Sequence, residues 1–303
     1  ELTDKLTVEG GLRYDNERSS ADVARSFTSP FFPPETFTES VNFEAFSPKI
    51  VLSYDINKEH FLYANMSRGF RPGGINQFVN NREQARFDPE TTWNYELGIK
   101  SSFFDNRLKL NFTSFLINYS DQQIFTLLSG DSLASFGNDN IGESRIYGVE
   151  FDGRWIISKG LGINFNAGYL KTEVLEFETF DFTSGQFVDL SGRGLNLPLS
   201  PNFNGNINVN YIAPLNKKIN LETTFDYVYQ SDIFFDVTND LLQESYGLLN
   251  GRFGITSKNL DVFVWAKNLT DENFFSYGGG ISGFQAAAFG MPRTYGANLM
   301  VKF

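Results

Sequence analysis

The chain has 303 residues and a formal net charge of −11 at pH 7, which disfavours binding to the phosphate backbone of nucleic acids. It contains no Cys and a single His, His60, so thiolate and disulfide chemistry are excluded and a histidine-built metal site is disfavoured. We expect neither an enzyme nor a cofactor, since His60 beside a predicted turn offers no plausible Ser–His–Asp site. No apolar run approaches about eighteen residues, so no transmembrane helix is expected.

Alternation of apolar and polar residues predicts antiparallel β-strands along the chain, because successive side chains of a strand point to opposite faces. The clearest case is the stretch from Glu90 to Phe103, whose apolar face carries Trp93, Leu97 and Ile99. Twelve strands are predicted, at about residues 5–16, 44–55, 59–70, 90–103, 108–119, 147–155, 161–169, 203–211, 219–230, 246–256, 260–268 and 292–303.

The predicted connections alternate between short turns and long loops. The long loops cover residues 17–42, 71–89, 120–144, 171–201, 231–244 and 271–291. This alternation is typical of an up-and-down β-barrel with one plain rim and one elaborate rim.

One predicted strand breaks its own alternation. Phe115, Ile117 and Tyr119 fall on the face opposite to Leu108 and Phe112, so the apolar parity changes near Thr113 and Ser114. An extra residue in one strand changes parity in this way, and we expect a β-bulge there.

The distribution of aromatic residues favours a membrane barrel. If the C-terminus lies at the short-turn rim, Trp93, Tyr147 and Tyr295 fall near the long-loop rim, while Trp155 and Phe303 fall near the other rim. Two aromatic belts with a polar opposite face are typical of a transmembrane barrel with a wet interior. A soluble β-sandwich also alternates, but its strands are usually shorter than these.

The chain resembles the C-terminal barrel portion of TonB-dependent outer-membrane receptors, which import iron–siderophore complexes and similar scarce ligands. The matching segments occur in the family's order and span most of the chain: LYANMSRGFRPGG at 62–74, the stretch 89–119, RIYGVE at 145–150, KNLTD at 267–271 and PRTYGANLMVKF at 292–303.

The resemblance implies that residues 1–303 form the C-terminal part of a larger barrel in a bacterial outer membrane. Transporters of this kind have 22 strands and a plugged lumen, so the twelve predicted strands look like strands eleven to twenty-two. The N-terminal plug, with its TonB-contacting segment, has no counterpart in these residues. A passive twelve-stranded outer-membrane porin, complete as given, is the alternative that the residues leave open.

Candidate ligand-binding residues lie in the predicted long loops and at the strand ends beside them. Polar and aromatic side chains there suit a bulky metal–siderophore ligand, although a loop ordered by Gly and Pro, or aromatics packed on one another, would carry the same residues. The candidates are Arg71, Asn76, Gln77, Gln122, Gln123, Phe125, Phe136, Tyr277 and Phe284.

The resemblance also implies partners besides the ligand. The TonB complex would act through the missing plug, and Glu96 and Asp152 on the interior face could dock that plug or form cross-strand pairs. Outer-membrane lipid and lipopolysaccharide would surround the wall. The last strand, Tyr295 to Phe303, ends in an aromatic residue and looks like the signal read by the barrel-assembly machinery.

Overall fold

The protein is described here by a computed structural model that covers residues 1–25, 35–77, 79, 82–128, 136–181, 186–281 and 284–303. Almost all regular structure in these residues is antiparallel β-strand. The exception is a single turn of 3-10 helix, Arg82–Ala85. No helix in this part of the chain is long and apolar enough to cross a membrane.

In the part of the chain that the structure describes, twelve long strands form one sheet and confirm the predicted number. Their bounds are β1 Leu6–Arg25, β2 Glu35–Asp55, β3 His60–Arg71, β4 Glu90–Phe103, β5 Leu108–Leu127, β6 Phe136–Ile156, β7 Leu161–Val174, β8 Phe203–Pro214, β9 Ile219–Gln230, β10 Tyr246–Ser257, β11 Leu260–Lys267 and β12 Thr294–Val301.

Each long strand pairs with the next strand along the chain, from β1 to β12, as in an up-and-down barrel wall. β1 pairs on one side with β2, and β12 pairs on one side with β11. Within the described residues no ladder joins β1 to β12. The sheet is therefore an open wall rather than a closed twelve-stranded barrel, and this disfavours the porin alternative.

The register of the ladders fixes which side chains share a face. Leu97 lies opposite Ala64 and Ser114, and its side chain is 61% exposed on what we call the outward face. Glu96 lies opposite Asn65 and Phe115 on the other, inward face. Directly paired residues stand on the same side of an antiparallel sheet, so the alternation read from the sequence is confirmed.

The expected bulge at Thr113 and Ser114 is wrong. The β4–β5 ladder runs without a register shift from the pair Thr91 and Ser120 to the pair Phe103 and Leu108. Regular alternation therefore carries Phe115 and Ile117 to the inward face. Phe115 lies opposite Gly148, where an added Cβ would meet the Tyr169 carbonyl and, at 3.0 Å, the Phe115 ring, so the missing side chain leaves room for both.

Four strands extend much further toward the long-loop rim than predicted. β1, β2, β5 and β6 contain 20 or 21 residues, whereas a bilayer is crossed by about 9–11 residues of a tilted strand. Much of the predicted loops 17–42 and 120–144 is therefore paired strand. The apolar alternation stops there, but the hydrogen-bonded ladder continues.

The buried apolar clusters lie at the long-loop rim. One consists of Val174, Phe177, Leu190 and Leu197, and it includes the hairpin formed by Glu178–Asp181 and Gln186–Asp189. The other consists of Phe37, Val79, Ala85 and Leu128. The rim is thus packed in its own right, and we call the space on its inward side the mouth.

Candidate functional site

Between β3 and β4, the described residues 72–77, 79 and 82–89, which we call the ledge, fold back against the long-loop rim. Two short strands inside it, Gly74–Ile75 and Arg86–Phe87, pair with each other. The Asn76 amide donates a hydrogen bond of 2.7 Å to the Ala85 carbonyl and closes the fold of the ledge. The ledge packs on Phe37, which alternates with Glu39 and Val41 on the inward side of β2, so it lies over the mouth.

Asn76 fixes the middle of the ledge to β6. Its side-chain Nδ2 donates to the Asn138 carbonyl at 2.8 Å, and its Oδ1 accepts from the Asn138 amide at 2.9 Å. The same Nδ2 donates to the Gln84 carbonyl at 3.1 Å. The Asn76 side chain is buried. Its amide group bonds the Asn138 backbone in the way that the backbone of a neighbouring strand would.

Two further amides fix the two ends of the ledge. Gln123 Nε2 donates to the carbonyls of Pro72 and Asp88 at 2.8 and 3.0 Å. Asn140 Nδ2 donates to the Asp88 carbonyl at 2.9 Å, and its Oδ1 accepts from the Asp88 amide at 2.6 Å. Side chains of β5 and β6 therefore hold both ends of the ledge. They bond backbone groups of Pro72 and Asp88 that would otherwise lack partners.

A buried carboxylate on β2 holds the remaining side of the ledge. Glu39 accepts from Arg86 Nε at 2.5 Å and also from Arg86 Nη2, and it accepts from Arg82 Nε at 3.4 Å. Hydrogen bonding from Arg86 keeps the pKa of the Glu39 carboxyl below its ordinary value, against the opposing effect of burial. Arg82 Nη2 also donates to the Thr38 carbonyl at 3.2 Å.

Aromatic side chains gather on the other long connections. The hairpin of Phe275–Ile281 and Phe284–Phe289 lies between β11 and β12. The rings of Phe275 and Phe289 have centroids 5.0 Å apart, and the Tyr246 and Phe274 rings stack at 4.4 Å. Tyr277 on this hairpin is 64% exposed.

The inward face below the mouth is lined by polar side chains that bond across strands. Asp226 on β9 accepts from Asn206 at 2.8 Å and from Asn250 at 3.1 Å. Asn111 donates to Asp152 at 2.8 Å across β5 and β6. Such cross-strand bonds stiffen a wall that faces water or another polar surface.

The structure places the nine predicted ligand-binding residues in different situations. Asn76 and Gln123 are buried, and Gln122 accepts a hydrogen bond of 2.6 Å from Ser144 Oγ. Arg71 and Gln77 are exposed, as are Phe125 and Tyr277. Phe136 and Phe284 belong to strands, but their side chains lie outside the described residues. Ligand binding by any of the nine stays a prediction.

Sequence reasoning missed Glu39, Asn140 and the two arginines Arg82 and Arg86. Glu39 and Asn140 lay in stretches predicted to be irregular loops, and their partners are 47 and 52 residues away in the chain. The nearest sequence signal was the Gly73–Gly74 pair, which permits a tight turn at the start of the ledge. Among the described residues no group of three His, Cys, Asp or Glu side chains could hold a metal ion.

A sequence profile described as "TonB dependent receptor-like, beta-barrel" matches residues 1–269. The chain belongs to this family. TonB-dependent receptors are outer-membrane β-barrels of Gram-negative bacteria, and the described wall is part of such a barrel. Family membership thus confirms the fold and location predicted from the sequence.

Individual relatives agree with this assignment. The chain is 24% identical to the pesticin receptor of Yersinia enterocolitica over 306 residues, which is all of this chain and 42% of the relative. It is similar in structure to the ferric yersiniabactin uptake receptor FyuA of Yersinia pestis, with a TM-score of 0.81, 22% identity and coverage of 100% and 44% of the two chains. The siderophore receptor PiuA of Acinetobacter baumannii gives a TM-score of 0.79, 19% identity and coverage of 99% and 41%.

The chain therefore spans about two fifths of the length of the TonB-dependent receptors that it matches. The twelve-stranded sheet is open because it corresponds to part of the larger barrel wall of these receptors. These relatives are receptors and not enzymes.

Proposed function

We propose that this chain is the C-terminal part of an outer-membrane importer that takes up a scarce, bulky metal chelate with energy from TonB. The observation that carries the proposal is the open twelve-stranded wall, which matches under half of a ferric yersiniabactin uptake receptor at a TM-score of 0.81. A wall that remains open in lipid leaves unpaired backbone groups at a cost of several kcal/mol each. The proposal therefore includes further strands and a plug outside this sequence.

The form of the mouth favours binding of a large ligand over free diffusion of small solutes. The ledge narrows the opening and is held by side-chain bonds from β2, β5 and β6. In this proposal exposed Arg71, Gln77, Phe125 and Tyr277 contact the metal–siderophore ligand, while Asn76 and Gln123 hold the ledge in position. Catalysis has no part in it.

Three further partners belong to the proposal. Lipid and lipopolysaccharide contact the outward aromatic and aliphatic side chains, such as Leu97 and Tyr295. The barrel-assembly machinery reads the last strand and Phe303. TonB acts through the plug, which docks against inward polar residues such as Glu96 and Asp152.

Electrical conductance distinguishes the importer from a passive pore. The full-length protein, reconstituted in a planar lipid bilayer, should show no steady channels in buffer, because a plug fills the lumen. Adding urea to unfold the plug should open conductance reversibly. Steady open channels in plain buffer would contradict the importer and favour a passive pore.

A further inference from the structure

Two guanidinium groups share one buried carboxylate at the edge of the mouth. The Glu39 side chain is 6% exposed, whereas the side chains of Arg82 and Arg86 are 63% and 60% exposed. Both arginines belong to the ledge. Arg82 is the first residue of the 3-10 turn Arg82–Ala85, and Arg86 is the first residue of the short strand that follows it. The carboxylate is hidden, and the cations that hold it face the solvent of the mouth.

Within the described residues, the bonds made by the two arginines use only some of their N–H donors. A guanidinium carries five N–H donors in a fixed plane. The bonds to Glu39 and Thr38 use Nε and Nη2 of Arg82, and the bonds to Glu39 use the same two nitrogens of Arg86. More than half of each side chain remains exposed beyond those bonds, so further N–H groups point to solvent.

The two guanidinium groups are held in place before any ligand arrives. Ala85 between them is fully buried against Phe37 and Val79, and the ledge around them is bonded to β5 and β6 at both ends. A donor pair on a fixed backbone loses little conformational freedom on binding. This distinguishes Arg82 and Arg86 from exposed arginines on unsupported loops.

Charge at the mouth favours an anionic group at this position. The chain as a whole carries −11, so an anionic ligand is repelled by much of the wall. Next to the pair, Glu83 is an exposed carboxylate on the same turn, and Arg71 is an exposed cation at the root of the ledge. Asp88 at the other end of the ledge is also exposed, so with Glu39 already bonded the exposed charged groups of Arg71 and the described ledge are three cations and two anions.

We propose that Arg82 and Arg86 bind an anionic oxygen group, a carboxylate or a phenolate, of the chelate that this receptor imports. Planar guanidinium donors bind such groups with two parallel hydrogen bonds, which gives both affinity and orientation. This assignment rests on the proposed function and adds the charge class of its ligand. Arg82 and Arg86 contact the ligand, and Glu39 is a positioning residue that holds them.

The test measures binding of two ferric chelates of opposite charge to the full-length receptor by equilibrium dialysis. Ferric citrate is the anionic probe, and ferrioxamine B, a ferric trihydroxamate with a free ammonium group, is the cationic probe. The variants are the double change Arg82→Gln with Arg86→Gln, the single change Glu39→Gln, and Arg293→Gln as a control. Arg293 is an exposed arginine of the same rim that pairs with Asp271.

The double variant should lose affinity for ferric citrate by about tenfold or more, the loss expected for charge-assisted hydrogen bonds. Its affinity for ferrioxamine B should stay unchanged or rise. Glu39→Gln keeps both guanidinium groups and a carbonyl acceptor, so its affinity for ferric citrate should be retained or increased. Arg293→Gln should behave as the unmodified receptor.

Two results would overturn the assignment. If the double variant keeps the affinity of the unmodified receptor for ferric citrate, Arg82 and Arg86 do not bind the chelate. If the unmodified receptor binds ferric citrate no better than ferrioxamine B, the mouth has no anion site. In the second case the conductance measurement still decides the importer proposal: channels that open only in urea would leave it standing, whereas steady channels in plain buffer would contradict both proposals.

Discussion

The Asn76 side chain is paired with the backbone of Asn138 by two hydrogen bonds, one donated at 2.8 Å and one accepted at 2.9 Å. These two bonds dock the ledge on the end of β6 although Asn76 does not belong to a strand of the wall. The ledge is thereby fixed to the barrel wall.

Replacing Asn76 with Ala should loosen the ledge without unfolding the wall. The change leaves the backbone amide and carbonyl of Asn138 without their side-chain partner, and an unsatisfied buried group costs about 1–3 kcal/mol. Hydrogen exchange at the Asn138 amide should become faster in Asn76→Ala and stay unchanged in Gln77→Ala, since Gln77 is exposed. Equal protection in both variants would show that Asn76 does not hold the ledge.

The docking of the ledge should depend on pH through Glu39. The pKa of this carboxyl is lowered in the folded state, so its stabilising effect is fully present above the unfolded value of about 4.5 and is lost as the pH falls through the folded value. Proteolytic cleavage within 82–86 should therefore be slow at neutral pH and accelerate only below about pH 4.5. Glu39→Gln should remove this pH dependence, and a profile identical to that of the unmodified protein would contradict the assignment.

A charge placed on the outward face should destabilise the barrel. Leu97 is 61% exposed on the outward face of β4, which faces lipid. Leu97→Arg should lower the free energy of unfolding by about 2–4 kcal/mol if the position lies near the middle of the bilayer. The control is Asn166→Arg on the inward face of β7, opposite Asp152, where we expect a much smaller effect in urea titrations. Similar losses for both variants would argue against the assignment of faces.

Labels on single cysteines should divide the wall into two environments. The chain has no native Cys, so each introduced thiol reports one position. Spin labels at Tyr147 and Tyr295 should be relaxed by a lipid-soluble quencher, and labels at Glu96 and Asn206 by a water-soluble one. The reverse partition, or no difference, would contradict a membrane wall with a wet inward face.

The sequence predicted the part of each strand that faces lipid on one side. For Glu90–Phe103 and Ile219–Gln230 the predicted bounds match the structure, because apolar and polar residues alternate along the full length of both strands. The outer halves of β1 and β2 were predicted as loop. There both faces meet water or packed loops, so alternation no longer reports the pairing.

The mouth could not be predicted for a different reason. Asn76 and Asn138 are 62 residues apart, and Glu39 and Arg86 are 47 residues apart. Nothing in the local sequence of either partner specifies the other. The inward position of Phe115 was also misread, because an apolar residue in a predicted wet interior suggested a bulge, whereas the space opposite Gly148 accommodates the ring.

The central claim is that this wall belongs to an importer that needs TonB. The most direct measurement is uptake of radioactive iron from supplied ferric chelates by iron-starved cells that express the full-length protein, with and without a functional TonB. We expect saturable uptake that requires the protein and that disappears when TonB is absent. Uptake that depends on the protein but continues unchanged without TonB would contradict the claim and identify a passive channel.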